Sequence, residues 1–323
     1  MAFKNTSRWT FSNVLPVVFV LGIIGMIWWT YVTCHLLGLH RSEVHERTHM
    51  NLVEAIVSQT LVILMLICFV RAVCTDPGSV PDTDDWTGKT GSRTGASSEP
   101  QVPIAPPCHE VKQNGERRFC NKCTKYKPDR CHHCRVCNSC VLRMDHHCPW
   151  IANCVGFRNH KYFLLLVFYS FVNCCFIGIS MGGTVLGSME EEMDLAFRFA
   201  LVFGMTLTMV MGGLLGSFLG FHTWLTCQAL TTIEFCEKSS TFSRSISYDQ
   251  GLFENIRAVL GPRVFLWLLP VSPPSGDGLT FFVHGEFKAF PTQDEVHALL
   301  SSKPEEDSSA AAPEVTGAKA AAV

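Results

Sequence analysis

The sequence predicts an α-helical integral membrane protein with four transmembrane helices and a small cytosolic zinc-binding domain between helices 2 and 3. Three observations carry this. Apolar residues make up 47% of the 323 residues. Four stretches are long and apolar enough to cross about 30 Å of hydrocarbon as helices. Eight of the sixteen cysteines crowd, with histidines, into one basic segment, the pattern of metal sites in a reducing compartment and not of a secreted disulfide framework.

The spans are expected at 14–39, 52–73, 162–189 and 199–230. The first has too long an apolar run for a signal-peptide core and is followed by no small-residue cleavage pattern, so it reads as a retained span. The second has an uncharged core only between Glu54 and Arg71, and it crosses if those two side chains snorkel toward the headgroups. Gly212, Gly216 and Gly220 form a small-residue ridge on the fourth, suited to helix packing within one bundle or to pairing of two copies. Between spans two and three lie a linker at 74–117 and a cysteine-rich domain at 118–161; after span four come a C-terminal region at 231–300 and a tail at 301–323. Residues 86–107, rich in Gly, Ser, Thr and Pro, read as flexible, as does the Ala-rich end after Lys303.

Formal net charge is only -2, which argues against a nucleic-acid partner. Its distribution is uneven. Lys112, Arg117, Arg118, Lys122, Lys125, Lys127, Arg130, Arg135 and Arg143 fall between spans two and three, whereas Glu190, Glu191, Glu192 and Asp194 fill the last hairpin loop. The positive-inside rule then predicts a cytosolic cysteine-rich domain and cytosolic termini. Span lengths suit Golgi, endoplasmic reticulum or plasma membrane alike.

The most specific signal is a repeat. Cys120, Cys123, His133 and Cys140 follow the spacing C-x2-C-x9-H-x6-C, and Cys134, Cys137, His147 and Cys154 repeat it fourteen residues later, interleaved with the first. Each set offers three thiolates and one imidazole, a closed tetrahedral shell for one structural Zn²⁺. A further shift of fourteen pairs Cys134 with Cys148, but the position that would complete its C-x2-C holds Ile151. Cys148 is thus left without a metal, with His146 and Asp145 just before it. A thiol, a base and a carboxylate that orients the base are the components of an activated nucleophile. Cys131 is also left over and reads as packing. The third span begins about fourteen residues after Cys148, so the thiol lies near the bilayer, where an acyl chain can reach it while its methylenes stay in lipid.

With Asp145-His146-His147-Cys148-Pro149-Trp150 inside the metal pattern, Asn153-Cys154-Val155-Gly156 and Asn159 after it, Asp76-Pro77-Gly78 after span two and Thr231-Thr232-Ile233-Glu234 after span four, the sequence resembles the DHHC family of protein S-acyltransferases. The resemblance implies a four-helix bundle around a lipid-filled cavity, with acyl-CoA as co-substrate and membrane-associated proteins bearing cytosolic cysteines as partners. It also implies that Cys148 is the nucleophile of a ping-pong cycle, His146 its general base and Asp145 the group that orients the base. A threonine of Thr231-Thr232 would lie near Asp145, with Glu234 and Asp76 in supporting motifs. Lys127, Arg130 and His132 would hold the CoA phosphates. Asn255, followed by Val259-Leu260-Gly261 with Leu260 in the place of the family's usual aromatic, would tie the tail to the bundle. Val264 to Leu269 is expected on the membrane surface or as a short core segment.

Two rivals are a membrane-anchored zinc module, such as a RING-type ubiquitin ligase, and a transporter. The first needs a further C-x2-C pair that is lacking after Cys140. The second needs intramembrane polar groups, for which Asn173 and His222 are the main candidates, and Asn173 is equally suited to line an acyl cavity.

Overall fold

A computed structural model describes residues 10–37, 48–87, 108–112, 114–189, 194–238, 246–272, 274 and 276–283. The loop at 41–47, Glu190 to Glu192, most of the 86–107 linker and the end after Lys303 lie outside the described residues.

Four long helices form the frame: α1 (Phe11–Thr30, continuing as a π-helical turn through Leu36), α2 (Thr48–Cys74), α4 (His160–Gly187) and α5 (Leu195–Cys227). Each is long and apolar enough to cross a membrane. Helix α4 is the most enclosed, with half of its span buried, so it is the helix against which the others pack. Asp194 caps α5 by accepting from the backbone N–H groups of Ala196 and Phe197, which satisfies two of the donors a helix start leaves unpaired. Glycines let α5 approach its neighbours. A Cβ at Gly216 would lie 2.8 Å from the Phe171 ring of α4, and one at Gly212 would lie 3.3 Å from Cys174, whereas Gly220 faces open space. Two of the three ridge glycines therefore serve packing within the bundle.

The two charges of α2 meet different surroundings, Glu54 being part-buried and Arg71 exposed. Glu54 pairs with His35 of the first helix at 3.0 Å, and His35 in turn bonds Thr184 of α4 at 2.7 Å. Arg71 donates to the Tyr162 hydroxyl at 2.5 Å and lies 4.5 Å from that ring's centroid. Glu54 is thus held by neighbouring helices, whereas Arg71, exposed three residues before the end of α2, keeps its route to the headgroups.

Between α2 and α4 the chain folds into three short antiparallel hairpins: β1–β2 (Phe119–Cys120 with Lys125–Tyr126), β3–β4 (His132–Cys134 with Ser139–Val141) and β5–β6 (His146–Cys148 with Asn153–Val155). Helix α3 (Asp84–Thr87) precedes them, and Trp86, expected in a linker, is buried in the apolar centre of this domain with Val80, Leu142 and Phe157. After α5 come α6 (Thr232–Lys238), α7 (Leu252–Leu260) and a 3₁₀ turn, Val264–Leu266. Lys161, buried in α4, donates to the carbonyls of Leu266 and Val271 at 2.8 Å each, and Tyr169 donates to that of Leu268 at 2.6 Å. The segment is thus pinned to α4 by its backbone while Val264, Phe265, Leu268 and Leu269 stay exposed, Phe265 at 77%. It is no core segment, and its exposed apolar face suits a membrane surface.

The hairpin domain docks on α2 through carbonyls that the helix end leaves free. Asn153 Nδ2 donates to the carbonyls of Ala72, Val73 and Thr75 at 3.0, 3.2 and 2.9 Å, and Asn159 Nδ2 reaches Ala72 at 3.3 Å. Asp76 accepts from the Gly78 N–H at 2.7 Å, and the turn it makes lays the Pro77 and Gly78 carbonyls against the N–H groups of Arg158 and Leu142. Gly156 sits at this crossing. A Cβ there would meet Val141 at 2.6 Å and the carbonyl oxygens of Pro77 and Leu142 at 2.8 and 3.0 Å. Gly156→Ala is therefore expected to lower thermal stability, by about 1–3 kcal/mol as overpacking typically does, while Gly220→Ala leaves the melting temperature unchanged or higher; thermal unfolding in detergent checks both.

Candidate active site and metal centres

The fourteen-residue repeat of the sequence is a repeat of hairpin register. His132 pairs with Val141, His133 with Cys140 and Cys134 with Ser139; in the next hairpin His146 pairs with Val155, His147 with Cys154 and Cys148 with Asn153. The first hairpin pairs Cys120 with Lys125, the equivalent of the last pair of each set. The residue after each knuckle, Thr124, Asn138 and Ala152, takes a left-handed φ of 52°, 51° and 46°. Three hairpins thus share one backbone.

Each donor set joins two of them. Cys120 and Cys123 from the first hairpin face the cross-strand pair His133 and Cys140 of the second, and Cys134 and Cys137 face His147 and Cys154 of the third, with all donor atoms of a set within 4.8 Å of one another. The sulfurs of the first set lie 3.5, 3.3 and 3.9 Å from His133 Nδ1, and those of the second 3.7, 3.4 and 3.6 Å from His147 Nδ1. A tetrahedral Zn²⁺, with bonds of about 2.3 Å to sulfur and about 2.0 Å to nitrogen, separates sulfur from nitrogen by about 3.5 Å. Both sets fit zinc. Cys131 is buried in the adjoining apolar cluster and belongs to neither.

Cys148 occupies the third knuckle position, where Ile151 stands in for the second cysteine and no fourth hairpin supplies a histidine. Its thiol is turned instead into an apolar cluster to which all four long helices contribute, among them Val17, Phe69, Tyr162, Phe163 and Leu215. Pro149–Ile151 form a 3₁₀ turn, and Trp150 packs on Phe19 of α1 at 6.3 Å between ring centroids.

Asp145, fully buried, is the hub beside this thiol. Its Oδ2 lies 2.6 Å from His146 Nδ1 and accepts from the Thr232 hydroxyl at 2.8 Å, while its Oδ1 accepts from the Thr232 N–H at 2.9 Å. Burial opposes ionisation of the carboxyl, but the bond to His146 and the nearby His160, His146 and His222 rings together outweigh it and hold the pKa well below the usual carboxylate range. Burial likewise works against a charged His146, yet hydrogen bonding and electrostatic attraction to Asp145 and Cys148 together outweigh it and raise the ring's pKa to about 9. With Nδ1 committed to Asp145, Nε2 is the atom left for the thiol. His222 of α5 closes the group, its Nδ1 3.9 Å from Asp145 Oδ2 and its ring 5.6 Å from that of His146. His160, buried with both ring nitrogens unpartnered among the described residues, is a further neighbour. Neither was singled out as a site residue from sequence. A histidine near the end of an apolar span, nine residues before Thr231, was the available signal.

Arg130 and His132 do not sit as a phosphate-holding pair would. The Arg130 guanidinium is buried and committed to Glu234, with Nε to Oε1 at 2.6 Å and Nη2 to Oε2 at 2.8 Å, and it also reaches the Ala229 carbonyl at 2.7 Å. It fastens the segment after α5 to the hairpin domain. Burial and the charges of Arg118 and Lys127 press the His132 pKa down to about 4, so the ring is neutral at physiological pH. Lys127, half-buried beside them, makes no side-chain hydrogen bond among the described residues. Asn255 in α7 donates to the carbonyl of Cys227, the last residue of α5, at 2.8 Å and to Asp249 at 2.7 Å, and Gln250 N–H donates back to its Oδ1. Asn173 is buried inside α4 and donates to the Tyr169 carbonyl. Glu234→Ala, which strands the Arg130 charge, is expected to cost about 3–5 kcal/mol, whereas the apolar pair Arg130→Met with Glu234→Leu recovers most of the loss; thermal unfolding of the zinc-loaded protein distinguishes them.

Comparison with known proteins agrees with this geometry. Residues 113–239 match the family model described as DHHC palmitoyltransferase. Probable protein S-acyltransferase 16 of Arabidopsis thaliana is 33% identical over 288 residues, covering 83% of this chain and 92% of that protein. Palmitoyltransferase ZDHHC15 of Rattus norvegicus is 37% identical over 171 residues, covering 52% of this chain and 51% of that protein, and human palmitoyltransferase ZDHHC2 is 36% identical over 187 residues, covering 54% and 48%. With the motif, the hairpin repeat and a relative matched along nearly its whole length, the chain belongs to the DHHC palmitoyltransferase family and is a protein-cysteine S-palmitoyltransferase.

Proposed function

We propose that the protein carries a long acyl group from acyl-CoA to cysteines of membrane-associated proteins through a thioester on Cys148. The observation that carries this reading is the position of Cys148. It repeats a zinc-ligand position without the companions a metal needs, and its thiol faces apolar side chains from all four spans. An acyl chain can stay among those side chains while its carbonyl meets the sulfur.

With its proton affinity raised, His146 holds the Cys148 proton on Nε2, steadied by Asp145 at Nδ1. The thiolate attacks the carbonyl carbon of acyl-CoA, the bond from that carbon to the CoA sulfur breaks, and the leaving thiolate recovers the proton from His146. In the second half the substrate cysteine gives its proton to His146 and attacks the Cys148 thioester, and Cys148 leaves as the thiolate and is reprotonated. The two zincs supply geometry alone, since a closed shell keeps no place for substrate. Lys127 is the cation best placed for CoA phosphates, in place of the full Lys127, Arg130 and His132 set, since the neighbouring Arg118 is paired with Glu110. The basic hairpin domain faces the cytosol by the positive-inside rule, and the substrates are cytosolic cysteines.

A binding-only zinc module would have no use for the Asp145–His146 pair beside an unliganded thiol. Purified wild type incubated with a clickable palmitoyl-CoA analogue is expected to acquire label that hydroxylamine removes, while Cys148→Ser acquires none. Equal labelling of the two would make Cys148 an ordinary site and return the binding module as the better account.

A further inference from the structure

A second site opens on the other side of the Arg130–Glu234 pair. A cavity of about 540 Å³ lies between the hairpin domain, α7 and the stretch at 276–282, with Arg143, Phe157, Tyr248, Asn255 and Phe281 among its walls. Neither Cys148, His146, Lys127 nor His132 lines it. Arg130 forms one wall, but its charge is already met by Glu234 and its guanidinium stacks 4.5 Å from the Tyr248 ring centroid.

Arg143 is different. It is 3% exposed, its Nε has no hydrogen-bond partner, and no hydrogen bond or ion pair to any described residue engages the rest of its guanidinium. Burial and the neighbouring Arg130 charge, only partly offset by the nearby Glu234 and Asp145 carboxylates, press its pKa down to about 9, so it stays charged at neutral pH with no counter-ion in contact among the described residues. Buried cations in proteins are paired or meet a ligand, because an isolated one costs several kcal/mol. The carboxylates of the cavity are otherwise engaged. Glu254 pairs with Arg257 at 3.1 Å, and Asp277 accepts from the N–H groups of Leu279 and Thr280.

We infer that Arg143 is the anchor of a phosphate-binding site in this cavity, separate from the acyl-transfer centre, whose ligand is the phosphate of an anionic phospholipid headgroup or of a soluble metabolite. A guanidinium is suited to this because its donors match phosphate oxygens in pairs. The cavity's place favours headgroup level: Phe282 on its rim is 81% exposed, and α7 beside it leads directly into the exposed apolar run Val264, Phe265, Leu268 and Leu269.

The test uses the full-length, zinc-loaded protein in detergent after lipid removal, with thermal unfolding followed against dioctanoyl phosphatidate, dioctanoylglycerol and inorganic phosphate. A saturable rise in melting temperature is expected with phosphatidate and none with dioctanoylglycerol. Inorganic phosphate acting equally well would assign a soluble ligand, and phosphatidate acting alone would assign the lipid. Arg143→Gln is expected to weaken the apparent affinity about tenfold or more, with Arg143→Lys falling between, and zinc content reports whether each variant is folded. A wild type with no phosphate-dependent shift overturns the inference without recourse to any variant. So does a folded Arg143→Gln of unchanged affinity.

Discussion

The two donor sets that bridge successive hairpins fix where the rest of the molecule can lie. Each hairpin is only two or three residues per strand, far too short to hold itself in water. What gives the domain a defined shape is that the knuckle cysteines of one hairpin share a tetrahedron with the cross-strand His–Cys pair of the next. Register then passes from hairpin to hairpin. The third inherits the same backbone, including the left-handed residue after the knuckle, while Ile151 removes the metal. Cys148 therefore takes the backbone position of a zinc ligand while standing outside both donor sets, the combination on which its proposed role as nucleophile rests.

That rigid unit is bound to the bundle through backbone groups that helix ends leave unpaired. Asn153 and Asn159 cap α2, the Asp76-Pro77-Gly78 turn runs along the strands, and Lys161 and Tyr169 of α4 hold the carbonyls of the C-terminal turn. From the far side, Thr232 reaches Asp145 and Glu234 reaches Arg130, so the segment after α5 closes on the site it supports. Side-chain amides, ammonium and hydroxyls aimed at free carbonyls do here what a large apolar core does in a soluble domain.

Much of this was legible in the sequence, and for particular reasons. Spans are visible because a bilayer demands length and apolarity together, and the metal sets because a tetrahedron demands a spacing that recurred twice. Cys148 emerged by subtraction, as the member of the repeat left without partners. What stayed hidden were pairings decided in three dimensions. Glu54 looked like a charge seeking water, and the partner that holds it, His35, comes from another helix. Arg130 looked like one more cation on a basic face, because nothing local says that Glu234, over a hundred residues away, neutralises it. Trp86 stands at the edge of a Gly- and Ser-rich stretch whose composition conceals a buried anchor, and His222 looked like a transporter's polar residue until the fold set it beside Asp145.

Zinc stoichiometry tests the central claim, that Cys148 repeats a ligand position without being a ligand, more directly than any activity measurement. The account predicts two zinc ions per chain by elemental analysis in the wild type and two in Cys148→Ser, with a loss in Cys134→Ser accompanied by a lower melting temperature. Equal zinc loss in Cys148→Ser and Cys134→Ser would contradict it, since Cys148 would then be part of the metal shell and not the thiol left over.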